Sequence, residues 1–218
     1  MKNEIAVIFD MDGVIVHTNP YHSRAFREFF SVRNLAPTDD EFAQHMFGKS
    51  NSYILTHFLQ RKIEGEELRL LEDEKESLFR KIYEPFIGPI AGIIPFIDDL
   101  YQNGAKLGVA TSAPSANLDL ILSKIPLRKK MGSVLASEHV KKHKPDPEVY
   151  LTSAKNLGLS PDQCVVFEDS FSGVSAALNA GMKVVGVLTS HTEDELPPCN
   201  FYISDYTELS FAKIKALF

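Results

Sequence analysis

The 218-residue sequence has only two cysteines, no apolar run that could span a bilayer, and fewer basic than acidic side chains. Each shortage removes a class of protein. Cys164 lies inside the apolar run "CVVF" and Cys199 in the turn-like "PPCN", which gives neither a disulfide framework nor a thiolate metal site, so both are expected as free thiols. A bilayer span takes roughly 20 apolar residues, and "MKNEIAVIF" enters a strand without a cleavable signal pattern. No membrane partner is expected, and the cytoplasm is the expected compartment. With 23 Lys and Arg against 29 Asp and Glu, the formal net charge of −6 argues against general affinity for nucleic acid or anionic lipid. The basic clusters "RKKM" at Arg128 and "KKHK" at Lys141 are short and read as solvated ends of elements. The sequence has no internal repeats or low-complexity tracts, and no obligate protein partner is evident.

What the sequence does hold is enough apolar material, 44% of residues, for one good core and a smaller satellite. Short β-branched runs begin at Ile5 ("IAVIF"), Lys106 ("KLGVA"), Ser133 ("SVLA"), Cys164 ("CVVF") and Lys183 ("KVVGVL"). Their continuous hydrophobicity suits strands covered on both faces, as in a parallel sheet. Helical patterns fall between the later runs and stop at Gly104, Gly158 and Gly181, while Asp146 and Pro147 form a helix start. The alternation implies an α/β core with a doubly wound, Rossmann-like parallel sheet and right-handed crossovers.

The first run breaks that rhythm, since no strand-like segment appears between "FDMDGVIV" and residue 106. The stretches "PYHSRAFREFF" and "EGEELRLLEDEKESLFRKIYEPF" instead repeat apolar residues every three or four positions. So long an interruption exceeds what one crossover needs and reads as an inserted α-helical cap. The expected division is a core of residues 1–16 and 88–218 and a cap of residues 17–87, with "FIGPIAGIIP" as the return hinge.

In open parallel sheets ligands bind beyond the carboxyl ends of the strands. Asp10 and Asp12 follow the first run, Thr111 and Ser112 the second, and Glu168, Asp169 and Ser170 the fourth; Lys144 stands in the loop before Pro147. Carboxylates that close together repel unless a cation or a shared proton lies between them. In order along the chain, "DMDG", "ATS", the lysine of "KPDPEVY" and "FEDS" resemble the four motifs of the haloacid dehalogenase superfamily of phosphotransferases. With the position of the cap insertion, the resemblance spans nearly the whole chain.

The resemblance implies Mg²⁺-dependent phosphoryl transfer. Asp10 would be the nucleophile that forms an aspartyl phosphate, and Asp12 would give a proton to the leaving group and later take one from water. Asp10, the Asp12 carbonyl and Asp169 would hold the ion, with Glu168 either ligating beside Asp169 or supporting it from behind. Lys144, the Thr111 hydroxyl and the Ser112 amide would hold phosphoryl oxygens.

Asp12 separates this chain from the dehalogenases, which lack that residue, and favours phosphate esters or anhydrides. "DGVIVHTNPYH", with Thr18 and His22, resembles the hexose-phosphate mutase branch, where a lysine precedes the cap glycine and an arginine follows three residues after it. Here those places hold Phe47 and Asn51 around Gly48, although Lys49 follows the glycine. Without the arginine fork the second phosphate loses a bidentate anchor, so hydrolysis of a small phosphorylated metabolite, a sugar phosphate or pyrophosphate, is expected over mutase turnover. Thr18, His22, Gly48, Lys49 and Asn51 are the candidate substrate contacts, with His17 a further cap candidate. A non-enzymatic binding module is the alternative of another class; the intact set Asp10, Asp12, Lys144 and Asp169 speaks against it.

Overall fold

A computed structural model describes residues 4–46 and 50–218. Contacts divide the chain into two compact units, Met1–His17 with Gly88–Phe218, and Thr18–Ile87. Phe47, Gly48 and Lys49 lie outside the described residues, so the expectations placed on Gly48 and Lys49 are not developed structurally.

In the first unit, β1 (Ala6–Phe9), β2 (Lys106–Ala110), β3 (Met131–Leu135), β4 (Cys164–Glu168), β5 (Lys183–Val187) and β6 (Phe201–Ile203) form one parallel sheet of order β3-β2-β1-β4-β5-β6. This is the doubly wound arrangement that the alternating runs imply. The order reverses direction between β1 and β4, and crossovers leave that point toward opposite edges, which makes the region beyond these two strand ends the place where open α/β sheets form a ligand crevice. The sixth strand escapes sequence reading because it is three residues long and only half-buried, and an edge strand needs no continuous apolar run.

The second unit holds α1 (Asn19–Ser31), α2 (Asp39–His45), α3 (Asn51–Leu59) and α4 (Gly65–Tyr83). Its core gathers Phe26, Phe29, Phe30, Phe42, Met46, Ile54, Leu55 and Ile63. Phe26, Phe29 and Phe30 recur at helical spacing on one side of α1, which is why this segment becomes a helix with a buried stripe. Thr38 starts α2 with a reciprocal cap: its hydroxyl accepts from the Glu41 amide at 3.2 Å and the Glu41 carboxylate accepts the Thr38 amide at 2.7 Å.

Helices α5 (Ile93–Gln102), α6 (Ser115–Lys124), α7 (Glu148–Leu157), α8 (Phe171–Asn179) and α9 (Phe211–Lys215) belong to the sheet unit. Strand alternation sends Ala6 and Ile8 of β1 into a cluster with Val149, Tyr150, Ala154, Val174 and Ala177 of α7 and α8. Phe9 points the other way, stacks on Phe167 at 5.1 Å between ring centroids and meets Phe96 of α5 edge-on at 6.3 Å. Helix α7 begins at Glu148 behind Pro147, and the Asp146 carboxylate accepts the Glu148 amide at 3.0 Å, so the pair serves as the expected helix start. Among the described residues, no helix is long and apolar enough to cross a membrane.

Candidate active site

The reversal in strand order gives the site its frame. The Asp10 amide extends the β1–β4 ladder by donating to the Phe167 carbonyl at 3.0 Å, which fixes Asp10 directly beyond β1 beside the end of β4. The chain then turns tightly: the amides of Ile15 and Val16 reach the Met11 carbonyl at 2.8 and 3.2 Å, and the Gly13 amide reaches the Val16 carbonyl at 2.8 Å. Gly13 holds a φ of +72°, and a Cβ there would lie 1.9 Å from Asp169 Oδ2, so both the turn and the approach of the β4 loop exclude a side chain.

Lys144 ties the strand ends together from its loop. Its ammonium donates to Asp10 Oδ1 and Glu168 Oε1, both at 2.6 Å, and to the Ala110 carbonyl at 3.2 Å, thereby touching residues at the ends of β1, β4 and β2. The lysine side chain is only 5% exposed, against 8% for the Asp10 side chain and 1% for that of Glu168, so these charges face each other with little water between them. Tyr150 adds its hydroxyl to Glu168 Oε1 at 2.8 Å, and its ring lies 4.8 Å from the ammonium.

Glu168 is fully engaged by protein. Oε1 accepts from Lys144 and Tyr150, while Oε2 accepts from the Asp169 amide, the Ser170 amide and the Ser170 hydroxyl at 2.9 to 3.0 Å. These five donors leave a carboxylate little capacity for a cation, which favours the supporting role over direct ligation, the two roles expected for Glu168. Among the described residues no group of three or more His, Cys, Asp and Glu side chains is placed to hold a metal ion. Asp10, Asp12, Glu168 and Asp169 nevertheless lie close enough for their charges to act on one another.

Electrostatics single out Asp10 and Asp169. Burial, opposed by Lys144 and reinforced by Glu168 and Asp12, pushes the Asp10 carboxyl up to about 7. Burial, followed by the charges of Glu168 and Asp10, raises Asp169 well above the usual carboxylate range. Burial would also raise Glu168, but Lys144 and the surrounding donors hold it below its ordinary value. For Lys144, burial disfavours the charge, yet Asp10 and Glu168 outweigh it and keep the ammonium protonated beyond the normal lysine range. Among the described residues the strand ends thus hold more buried carboxylate than Lys144 balances. A hard divalent cation held by Asp10, Asp169, backbone carbonyl and water fits this chemistry.

The remaining predicted residues belong to both units. Thr111 is buried beyond β2 and its hydroxyl accepts the Ala113 amide at 3.0 Å in a local turn, which leaves its donor capacity. Ser112 beside it is exposed. Asp12 bridges to Val16 in the turn after β1. In the helical unit, Thr18 precedes α1 and is fully buried, with no hydrogen-bond partner for its Oγ1 among the described residues. His22 Nδ1 lies 2.9 Å from Lys75 Nζ; Lys75 donates to Glu76 Oε1 at 2.6 Å, and Asn51 Nδ2 donates to the same oxygen at 2.8 Å. The His22 ring stacks on Phe79 at 3.7 Å, and the Lys75 ammonium sits 4.4 Å from the Phe26 ring. His17 is exposed.

Sequence reading missed Tyr150, Lys75 and Glu76. Tyr150 stands in an ordinary helical pattern. Lys75 and Glu76 belong to the charged stretch "LEDEKESLF", which reads as a solvated face although both are buried.

The haloacid dehalogenase-like hydrolase family matches residues 7–187. The chain is 32% identical over 183 residues to the fructose-1-phosphate phosphatase YqaB of Escherichia coli, covering 83% of this chain and 95% of the relative. It is 31% identical over 191 residues to the β-phosphoglucomutase of Bacillus subtilis, covering 84% and 82%. Among solved structures it resembles a HAD hydrolase of family IA, variant 3, from Entamoeba histolytica, with a TM-score of 0.91, 28% identity and 98% of both chains covered. A doubly wound sheet with acidic groups at its switch point is the frame of an α/β enzyme. The chain belongs to the haloacid dehalogenase-like hydrolase family.

Proposed function

We propose that this chain is a cytoplasmic, Mg²⁺-dependent phosphatase that hydrolyses a small phosphorylated sugar or related metabolite through an aspartyl phosphate on Asp10. The observation that carries this reading is the buried contact of Lys144 with Asp10, at the strand end adjoining that of Asp169. Phosphoryl transfer needs a carboxylate nucleophile, positive charge to receive the dianion and a proton donor for the leaving group. Asp10 supplies the first. Lys144 holds Asp10 in position and offers its ammonium to phosphoryl oxygens, while Glu168, saturated by its five donors, anchors the lysine instead of ligating metal. Asp12 gives a proton to the leaving oxygen and takes one from the attacking water. Thr111 and the Ser112 amide bind phosphoryl oxygens. Asp10, Asp169 and the Asp12 carbonyl would hold Mg²⁺, which when bound neutralises their charge and polarises the phosphoryl group.

The helical unit supplies the side chains that select the rest of the substrate, with His22, Thr18 and Asn51 foremost. The YqaB relative acts on fructose 1-phosphate and supports a sugar phosphate substrate. Mutase turnover, suggested by the Bacillus subtilis relative, is the second reading. Asn51 weighs against it, because an amide already donating to Glu76 has no fork for a second phosphate.

The test is phosphate release from sugar phosphates, pyrophosphate and an aryl phosphate, with and without Mg²⁺, beside conversion of β-glucose 1-phosphate to the 6-phosphate. Mg²⁺-dependent release that disappears in Asp10→Asn, without isomer formation, is expected. Isomer formation would establish the mutase reading, and turnover retained by a folded Asp10→Asn variant would overturn the nucleophile.

A further inference from the structure

The segment after β5 has no part in the chemistry above, yet three consecutive side chains of it reach the acidic loops. Thr189 Oγ1 donates to the Gly13 carbonyl at 2.6 Å. The Ser190 hydroxyl donates to Asp169 Oδ2. His191 Nδ1 donates to the Asp169 carbonyl at 2.9 Å, which fixes the tautomer with a proton on Nδ1. In the sheet β4 separates β5 from β1, so this segment reaches past the Asp169 loop to the turn that carries Asp12 and Gly13. The three loops meet at Gly13: a Cβ there would lie 1.9 Å from Asp169 Oδ2 and 3.0 Å from Thr189 Oγ1.

We infer that Thr189, Ser190 and His191 form a positioning clamp that sets the carboxylate of Asp169, and its distance from the Asp10–Asp12 turn, for the divalent cation. The inference rests on the metal assignment proposed above. Its physical basis is orientation: a carboxylate at a strand end rotates about its side-chain torsions, and a hydroxyl fixed on one oxygen selects the rotamer and directs the other oxygen. His191 and Thr189 act on backbone carbonyls, so they set the separation of the loops and Ser190 sets the angle of the ligand. Ser190 is a positioning residue and touches no reacting atom in this scheme.

Loss of such an outer partner weakens metal affinity by about 10- to 100-fold. The experiment measures Mg²⁺ binding directly by titration calorimetry, alongside the Mg²⁺ dependence of kcat, in wild type, Ser190→Ala, Ser190→Thr and Thr189→Val. Ser190→Ala should shift the Mg²⁺ midpoint upward by about tenfold or more, with substrate KM at saturating Mg²⁺ nearly unchanged and the melting temperature in chelator close to wild type. Ser190→Thr, which keeps the hydroxyl, should restore much of the affinity. Wild-type affinity in both Ser190→Ala and Thr189→Val would overturn the clamp and leave the metal assignment standing. A wild-type protein that binds no Mg²⁺ would overturn the metal assignment and the clamp together.

Discussion

Lys144 organises the charge of the crevice at the scale of single residues. Two buried carboxylates converge on its ammonium at 2.6 Å each, and neither is solvated enough to stand alone. Replacing it by Met keeps the length of the chain and removes the charge, which leaves Asp10 and Glu168 facing each other in a dry site. Breaking such a buried set typically costs about 3–5 kcal/mol. Urea unfolding in chelator should therefore show Lys144→Met destabilised by about that amount; a midpoint equal to wild type would mean that the pairing is energetically neutral. The cysteines answer to burial in a simpler way. Desolvation pushes both thiols up to about 11, so their thiolate fraction at neutral pH is small. In the folded protein both should react with a thiol-specific disulfide reagent at least about tenfold more slowly than after unfolding. Labelling of the native protein at the unfolded rate would contradict this.

Among elements, the turn that starts α5 shows how the sheet unit is closed. Gly92 caps the helix with a φ of +77°, and a Cβ on it would lie 2.6 Å from the Thr207 amide nitrogen and 2.7 Å from the Tyr206 carbonyl carbon. The Tyr206 amide donates to the Ala91 carbonyl at 3.0 Å, and its hydroxyl reaches the Val14 carbonyl at 3.0 Å, inside the turn that carries Asp12. Backbone faces backbone at this contact, so an added methyl has no flexible side chain to displace. Gly92→Ala should lose about 2 kcal/mol or more, the sum of left-handed strain and overlap. Thermal unfolding checks it, and a shift no larger than that of a surface substitution would show that the turn relaxes freely.

Over the whole molecule, protonation and metal binding should be linked. Asp10 has a folded-state value of about 7 against an ordinary 3.8, and Asp169 is raised in the same direction. A raised value means that the fold binds the proton more tightly than the unfolded chain does. The resulting stability is complete below about pH 4 and is lost as pH rises through about 7. The lowered surface carboxylates Glu41, Glu66, Glu67, Glu195 and Asp205 titrate below this window, and Lys144, held above its ordinary value, stays charged across it. In chelator the melting temperature should thus fall between about pH 5 and about pH 8, and the increment given by Mg²⁺ should grow over the same range because the ion competes with the protons. An Mg²⁺ increment independent of pH would separate the ion from these carboxyls.

The sequence by itself determined the parallel α/β core and the family, because both are written in local order: continuous β-branched runs, glycine stops, and polar residues placed immediately after the strands. The placement of Asp10, Lys144 and Asp169 near the strand ends was legible for the same reason, since a residue just past a parallel strand or in the loop between elements has few places to go. Glu168 was seen but its partners were not. Only the folded chain brings Tyr150 and Lys144 onto one of its oxygens and the Ser170 loop onto the other. Tertiary structure likewise decided that Lys75 and Glu76 are buried, that Asn51 spends its amide on Glu76, and that the residues after β5 reach Gly13 and Asp169. These facts depend on contacts between segments far apart in sequence, where charge and exposure are set by the neighbour that arrives and not by the residues alongside.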